Sequence, residues 1–299
     1  MYVPSNVQQN KYKDFLRWSQ AKRIIFTCVL PMIVPCSAEA AGENNGRGVK
    51  AIGMANTYVA VADDPWAIQY NPAGLSRISC CQLSGFIVPQ QFDLPELRTT
   101  ALAMALPLNH ISLGAAVDRF GFDLYNETTV SVGAGKAISK NMFGGMSLNY
   151  HSLAIARYGN TSVVSVDAGV LAEIVPSVMI GGCFKNITNA SYVQGDDDLP
   201  QCFAVGVGWK AVNDLLVTTE LEKDIRYDAS LKAGIEKTFL NILALRFGMA
   251  NNPDKYSAGF SVRYAGIEFG YAGYSHAELG WTHQIEIAIQ WGKRDEENR

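Results

Sequence analysis

In the stretch THQIEIAIQW, residues 282–291, Ile285, Ile287, Ile289 and Trp291 fall on one side of an extended chain, and Gln284, Glu286, Ala288 and Gln290 on the other. Wound as a helix, the same residues would scatter their isoleucines around the axis. Only a strand sorts them. A segment of about ten residues with one large apolar face and one polar or small face is the signature of a β-strand that crosses a membrane.

The period recurs upstream. Leu243, Leu245, Phe247 and Met249 alternate with Ala244, Arg246 and Gly248, and Leu231, Ala233 and Ile235 with Lys232, Gly234 and Glu236. Followed along the chain, it predicts strands near 79–88, 98–107, 110–119, 127–137, 142–153, 161–173, 177–187, 201–210, 214–223, 228–238, 241–250, 256–264, 266–275 and 282–291. That makes about fourteen, an even number as a bacterial barrel requires. Connections after the even strands are terse (PLNH, ISKN, VPS, AVND, AG). Those after the odd ones are usually longer or more polar, as in PQQFDLPEL, ITNASYVQGDDDLP and HAELGW. Short turns at one end and longer loops at the other suit a barrel inserted with both termini on the periplasmic side, an asymmetry that a soluble sandwich would not readily give.

Composition agrees. Charged residues make up 18% of the 299, against about 25% in soluble proteins, and there are 27 glycines and 13 tyrosines. The net charge of −3, with no basic run beyond Lys22-Arg23 and Lys293-Arg294, excludes a nucleic-acid partner. Past the N-terminus no stretch reaches the roughly 18 to 20 apolar residues of a membrane helix. Lys22 and Arg23, the apolar run IIFTCVLPMIVP and the small residues Ala38-Glu39-Ala40 read as a signal peptide over 1–40, cleaved near Ala40. The expected address is the bacterial outer membrane, with its lipid as the first partner. Cys28 and Cys36 leave with the signal. Cys80, Cys81, Cys183 and Cys202 lack metal-ligand spacing and are expected to pack as small apolar groups, although export would permit a Cys183–Cys202 disulfide.

If the large apolar side chains face lipid, then Glu220, Glu222, Lys232, Glu236, Arg246, Arg263, Glu268 and Glu286 face the lumen. Opposite signs on neighbouring strands can pair as a ladder that fixes register, or line a polar path if the lumen is open. The segment 41–78 is too short for a second domain. With Val59, Val61, Trp66, Ile68, Tyr70 and Leu75 it is also too apolar for a free tail. The economical expectation is an all-β, transmembrane, antiparallel up-and-down barrel over 79–292, with 41–78 as an N-terminal helical plug in its lumen and a charged tail at 293–299.

Within that segment, ADDPWAIQYNPAGLS (62–76) invites other chemistry. A metal on Asp63 and Asp64 lacks further ligands nearby, and consecutive side chains diverge. A water-channel reading of Asn71-Pro72-Ala73 needs a helical bundle that this chain does not encode. As part of a plug and its hinge, Asp63 and Asp64 would cap a helix end or meet Arg246 and Arg263 on the wall. Pro72 would end the helix, with Asn71 extended before it and Gly74 easing the turn into the first strand.

The pattern GVKAIGMANTYVAVADDPWAIQYNPAGL, with its glycine-rich start from Gly48 to Gly53, its Ala-Asp-Asp step and its Asn-Pro-Ala-Gly-Leu close, resembles the N-terminal signature of the long-chain fatty-acid transporter (FadL) superfamily of outer-membrane barrels. The segments LPQCFAVGVGWK, LLVTTELEK, LRFGMANNPDKYSAGF and FGYAGYSHAELGWTHQIEIAI are similar in order and spacing to the shorter PorV/PorQ branch. The resemblance implies fourteen strands, a plug formed around Gly48, Gly53, Asp63, Asp64, Trp66, Asn71, Pro72, Ala73 and Gly74, and one of two roles. One is passive transport of a small hydrophobic or amphipathic ligand through the lumen. The other is service as an accessory or shuttle subunit among secretion-machinery proteins.

Catalysis is not expected, nor a cofactor. His110, His151, His276 and His283 stand in no nucleophile–base constellation, and the acidic run Asp196-Asp197-Asp198 reads as solvated.

Overall fold

The computed structural model describes residues 46–192, 199–276 and 279–292. The expected signal segment over 1–40 with its expected cleavage site near Ala40, the Asp196–Asp198 run and the tail from 293 lie outside them.

Fourteen antiparallel strands close into a barrel in sequence order. They are β1 (Cys81–Val88), β2 (Thr99–Pro107), β3 (Ser112–Phe122), β4 (Tyr125–Ser139), β5 (Met142–Ile155), β6 (Gly159–Val175), β7 (Val178–Lys185), β8 (Cys202–Val212), β9 (Leu215–Asp224), β10 (Ser230–Phe239), β11 (Leu243–Ala250), β12 (Lys255–Tyr264), β13 (Ile267–His276) and β14 (Gly280–Trp291). The seam pairs β1 with β14 from Cys81 opposite Trp291 to Ile87 opposite Ile285, so no edge is left open. Among the described residues no helix is long and apolar enough to cross a membrane.

Side chains sort as the period demands. Phe247, Ile287 and Val132 lie exposed on the outer surface, while their sequence neighbours Arg246, Glu286 and Ser131 turn inward. Aromatic side chains collect where the outer face would meet lipid headgroups, with Trp209, Tyr264 and Trp291 toward one rim and Tyr256 and Trp281 toward the other. The rim holding the turns 140–141, 176–177, 213–214 and 265–266 is hereafter the turn end. The opposite, loop end carries the two longest connections, 89–98 and 186–201.

Two predicted loops are instead strand. β3 and β4 run on until only Asp123 and Leu124 connect them, and β5 and β6 meet across 156–158. Register continues through Phe120 opposite Glu127 and Ile155 opposite Gly159. Beyond lipid, backbone pairing alone sustains a strand, and the apolar alternation that marked the other strands is not needed there.

The segment ahead of β1 forms two short helices, Val49–Gly53 and Ala67–Tyr70, and a 3-10 turn, Pro72–Arg77. Its side chains are the main buried core. Ile52, Met54, Tyr58, Trp66, Ile68 and Leu75 have essentially no exposure, and each contributes roughly 1.5–3 kcal/mol by burial. Small inward side chains on the wall, such as Ala103, Ala105, Ala116 and Ala272, leave the room they fill.

Candidate functional site

The inner segment, residues 46–78, packs against β3–β6 through its 3-10 turn and second helix and against β11–β14 through its first helix. The wall makes way for it with glycine. A Cβ at Gly145 would stand 2.3 Å from the carbonyl carbon of Pro72, one at Gly181 2.3 Å from the Val59 oxygen, and one at Gly248 2.3 Å from the carbonyl carbon of Met54. Backbone lies against backbone, an approach that no other residue allows. Gly48 serves the segment itself. At φ +84 it begins the first helix, and a Cβ there would strike the Trp66 ring at 2.4 Å.

Two wall carboxylates hold this backbone. Glu286 on β14 accepts from Val49 N at 2.5 Å, from Trp66 Nε1 at 2.8 Å and from Ser84 Oγ. Glu220 on β9 accepts from Tyr58 N at 2.8 Å and Val59 N at 2.9 Å. On another side, Asp118 of β3 takes Arg47 Nε at 2.6 Å and the Gln69 amide. Such charge-assisted bonds supply the first free amides of a short helix and a tight turn with acceptors.

The other six of the eight predicted lumen charges pair within the wall. Lys232 lies 3.0 Å from Glu222 and 3.6 Å from Glu220. Arg246, with a side chain only 3% exposed, donates to Glu236 at 2.6 Å and to Ser261 Oγ at 3.0 Å, and its other nitrogen is 3.9 Å from Glu268. Arg263 meets Glu268 at 2.5 Å at the turn end, where its side chain is half exposed. Lys232 faces Glu220, Glu236 faces Arg246 and Arg263 faces Glu268 in strand register.

Asp63 does not reach Arg246 or Arg263, contrary to the sequence expectation. Its Oδ1 takes Lys50 Nζ at 2.6 Å and Tyr58 Oη at 3.1 Å, both within the inner segment. Lys50, on the turn-end side of the first helix, is nearer than any wall cation, and no sequence spacing announces it. Asp64 Oδ1 accepts from Trp66 N at 2.9 Å, closing a turn just ahead of the second helix, whose N-cap residue Trp66 makes no side-chain cap bond, so the expected cap is not formed. Burial tends to raise the Asp63 carboxyl, but Lys50 and then Arg77 outweigh it and hold it at about 2. Burial, then the charges of Glu286 and Asp63, push Asp64 up to about 7.

Asn71 is extended, at φ −157, and fully buried. Its side-chain amide donates to Val59 O at 2.7 Å and Val170 O at 3.0 Å, and its oxygen caps the turn at Ala73 N. Pro72 starts the 3-10 turn as well as ending the helix before it. Gly74 does not ease the chain into β1. It lies inside that turn, where a Cβ would come 2.5 Å from Ala62 O. Gly53 similarly abuts the Arg246 side chain at 3.0 Å. Cys80, Cys81, Cys183 and Cys202 are free thiols.

At the turn end a cavity of about 310 Å³ lies between the inner segment and strands β1 and β10–β14, bounded by Lys50, Asp63, Asp64, Glu236, Arg246 and Glu286 among others. Among the described residues, Ala62–Pro65 make no hydrogen bond to any strand. This is where the inner segment is least tied to the wall. Sequence reasoning missed Arg47, Lys50, Tyr58, Asp118 and the glycine cradle. Inward-parity glycines such as Gly145, Gly181 and Gly248 were the signal available for the last.

No known sequence-family profile matches the chain, and no curated protein matches it in sequence. Solved structures match its fold. The chain is similar to the CymD monoaromatic hydrocarbon channel at 12% identity and TM-score 0.63, covering 87% of this chain and 100% of that one. It is similar to the Pseudomonas putida toluene transporter TodX at 11% identity and TM-score 0.63, covering 84% and 99%. A Pseudomonas aeruginosa FadL homologue matches at 10% identity and TM-score 0.55, covering 81% and 97%. None of the three bears on the PorV/PorQ branch. In fold, the chain is a closed fourteen-stranded antiparallel barrel similar to those of these channels.

Proposed function

We propose that this protein is a passive outer-membrane channel for small hydrophobic or amphipathic molecules, with residues 46–78 as its plug and the turn end in the periplasm. The observation that supports it is the uneven attachment of the inner segment. Glu286, Glu220 and the glycine cradle fix it at residues 49, 54, 58–59, 66 and 72, while Ala62–Pro65 border a cavity and depend on the Lys50–Asp63 pair. A local shift of that span would join the cavity to the lumen without pulling the whole segment out. The hydrocarbon channels that share the fold agree with an apolar cargo.

Liposome uptake of a small aromatic compound tests this reading, comparing the intact chain with one lacking residues 42–76. Flux should rise on deletion. Equal, negligible flux in both would overturn it and favour the alternative, a barrel anchoring partners of a secretion system.

A further inference from the structure

Three polar side chains follow one another along the inner face of β14. Thr282, nearest the loop end, accepts from the backbone N of Phe92 in the 89–98 loop at 3.2 Å. Glu286, nearest the turn end, holds the inner segment. Between them Gln284 is fully buried, and neither its Nε2 nor its Oε1 has a partner. One end of the row fastens the loop and the other fastens the inner segment, while the middle fastens nothing.

Beside Thr282 and Glu286, the neighbourhood of Gln284 is rich in aromatic side chains, and Lys255 Nζ lies 3.7 Å over the Tyr274 ring. Ala272 lies opposite it in register, and Trp66, Phe86 and Tyr274 belong to the same buried cluster, with Phe92 packed on its margin. Trp66 and Phe86 meet edge to face at 5.8 Å. One strand position farther out, the Phe92 ring stands perpendicular to Tyr274 at 6.5 Å and contacts His276 at 5.3 Å. A buried amide with both functions unmet is costly in an apolar setting, and a ligand group that both donates and accepts would relieve it.

We propose that Gln284, with Trp66, Phe86 and Tyr274 around it, is a binding site for small single-ring phenols, covered by Phe92 and entered when that ring swings aside. The ligand ring takes the place offered to a Phe92-sized group between loop and inner segment. Its hydroxyl donates to Gln284 Oε1 and accepts from Nε2. Aromatic side chains favour edge-to-face contact with such a ring. This names a cargo class for the channel reading and rests on it.

The test is calorimetric titration of the full-length protein in detergent with phenol and with toluene, which share ring size but differ in the hydrogen-bonding group. The intact protein should prefer phenol. Gln284→Leu should weaken phenol about fivefold, the worth of one net hydrogen bond, and leave toluene unchanged or tighter. An unaltered phenol-to-toluene ratio would overturn the site. Phe92→Ala, which leaves the strands untouched, should tighten both ligands several-fold, and unchanged binding in that variant would also count against it. The two readings separate cleanly. Loss of phenol preference in Gln284→Leu with flux indifferent to the plug keeps the site and removes the channel. Plug-dependent flux with an unchanged ratio does the reverse.

Discussion

The indole Nε1 of Trp66 donates to Glu286 Oε1 at 2.8 Å, joining positions 220 residues apart. The same carboxylate takes Val49 N, so one wall residue fastens both the first helix and the start of the second. Replacing Glu286 with Ala leaves those two donors with no acceptor in a buried site. The expected cost is about 2 to 4 kcal/mol of protection over the inner segment. Hydrogen exchange of residues 46–70 should show it, with barrel strands protected as before. Glu286→Gln, which keeps an acceptor oxygen, should lose less.

Neighbouring glycines on β7 make a controlled comparison. Gly181 faces inward, where a Cβ would meet Val59 O at 2.3 Å, whereas at Gly182 the nearest atom lies at 3.7 Å. Gly181→Val should displace the inner segment and raise uptake while the barrel still shows heat-modifiable gel migration. Gly182→Ala should change neither. Equal behaviour of the two variants would show that the cradle does not position the segment.

The acidic step gives a pH signature. Asp64 binds its proton more tightly in the folded protein, at about 7 against 3.8 when free. Its contribution to stability is therefore complete below pH 3.8 and lost as pH rises through 7. Asp63 runs the other way, present above 3.8 and lost as pH falls toward 2. Between pH 4 and 8 the inner segment should loosen, as ionised Asp64 comes to face Glu286 and Asp63 with Lys50 as the nearby cation. Protease sensitivity of residues 46–78 across that range measures it, and Asp64→Asn should flatten the profile.

The barrel was largely legible because the outer face of each strand must satisfy lipid, and lipid imposes a strict period of two. Where strands rise beyond lipid that constraint lapses, which is why Phe120–Asn126 and Ala154–Asn160 read as loop. The interior was only partly legible. Glu220 and Glu286 stood out as inward charges, yet their partners are backbone amides of residues 49, 58 and 59, and an amide leaves no mark in sequence. Lys50 and Asp63, 13 positions apart, come together through a turn between them that no local pattern announces. Gln284 read as one more polar position in the alternation, and only its packing shows it to be unmatched.

The claim that the inner segment gates permeation is most directly tested by pinning it. A Cβ built at Gly208 on β8 lies 3.7 Å from Val61 Cβ, a separation that a disulfide spans. The double variant Val61→Cys with Gly208→Cys fixes the chain next to the loosely held Ala62–Pro65 span. Uptake of a small aromatic compound into liposomes should fall at least tenfold on oxidation and recover on reduction. Uptake that is substantial and equal in the oxidised and reduced states would contradict a gating plug.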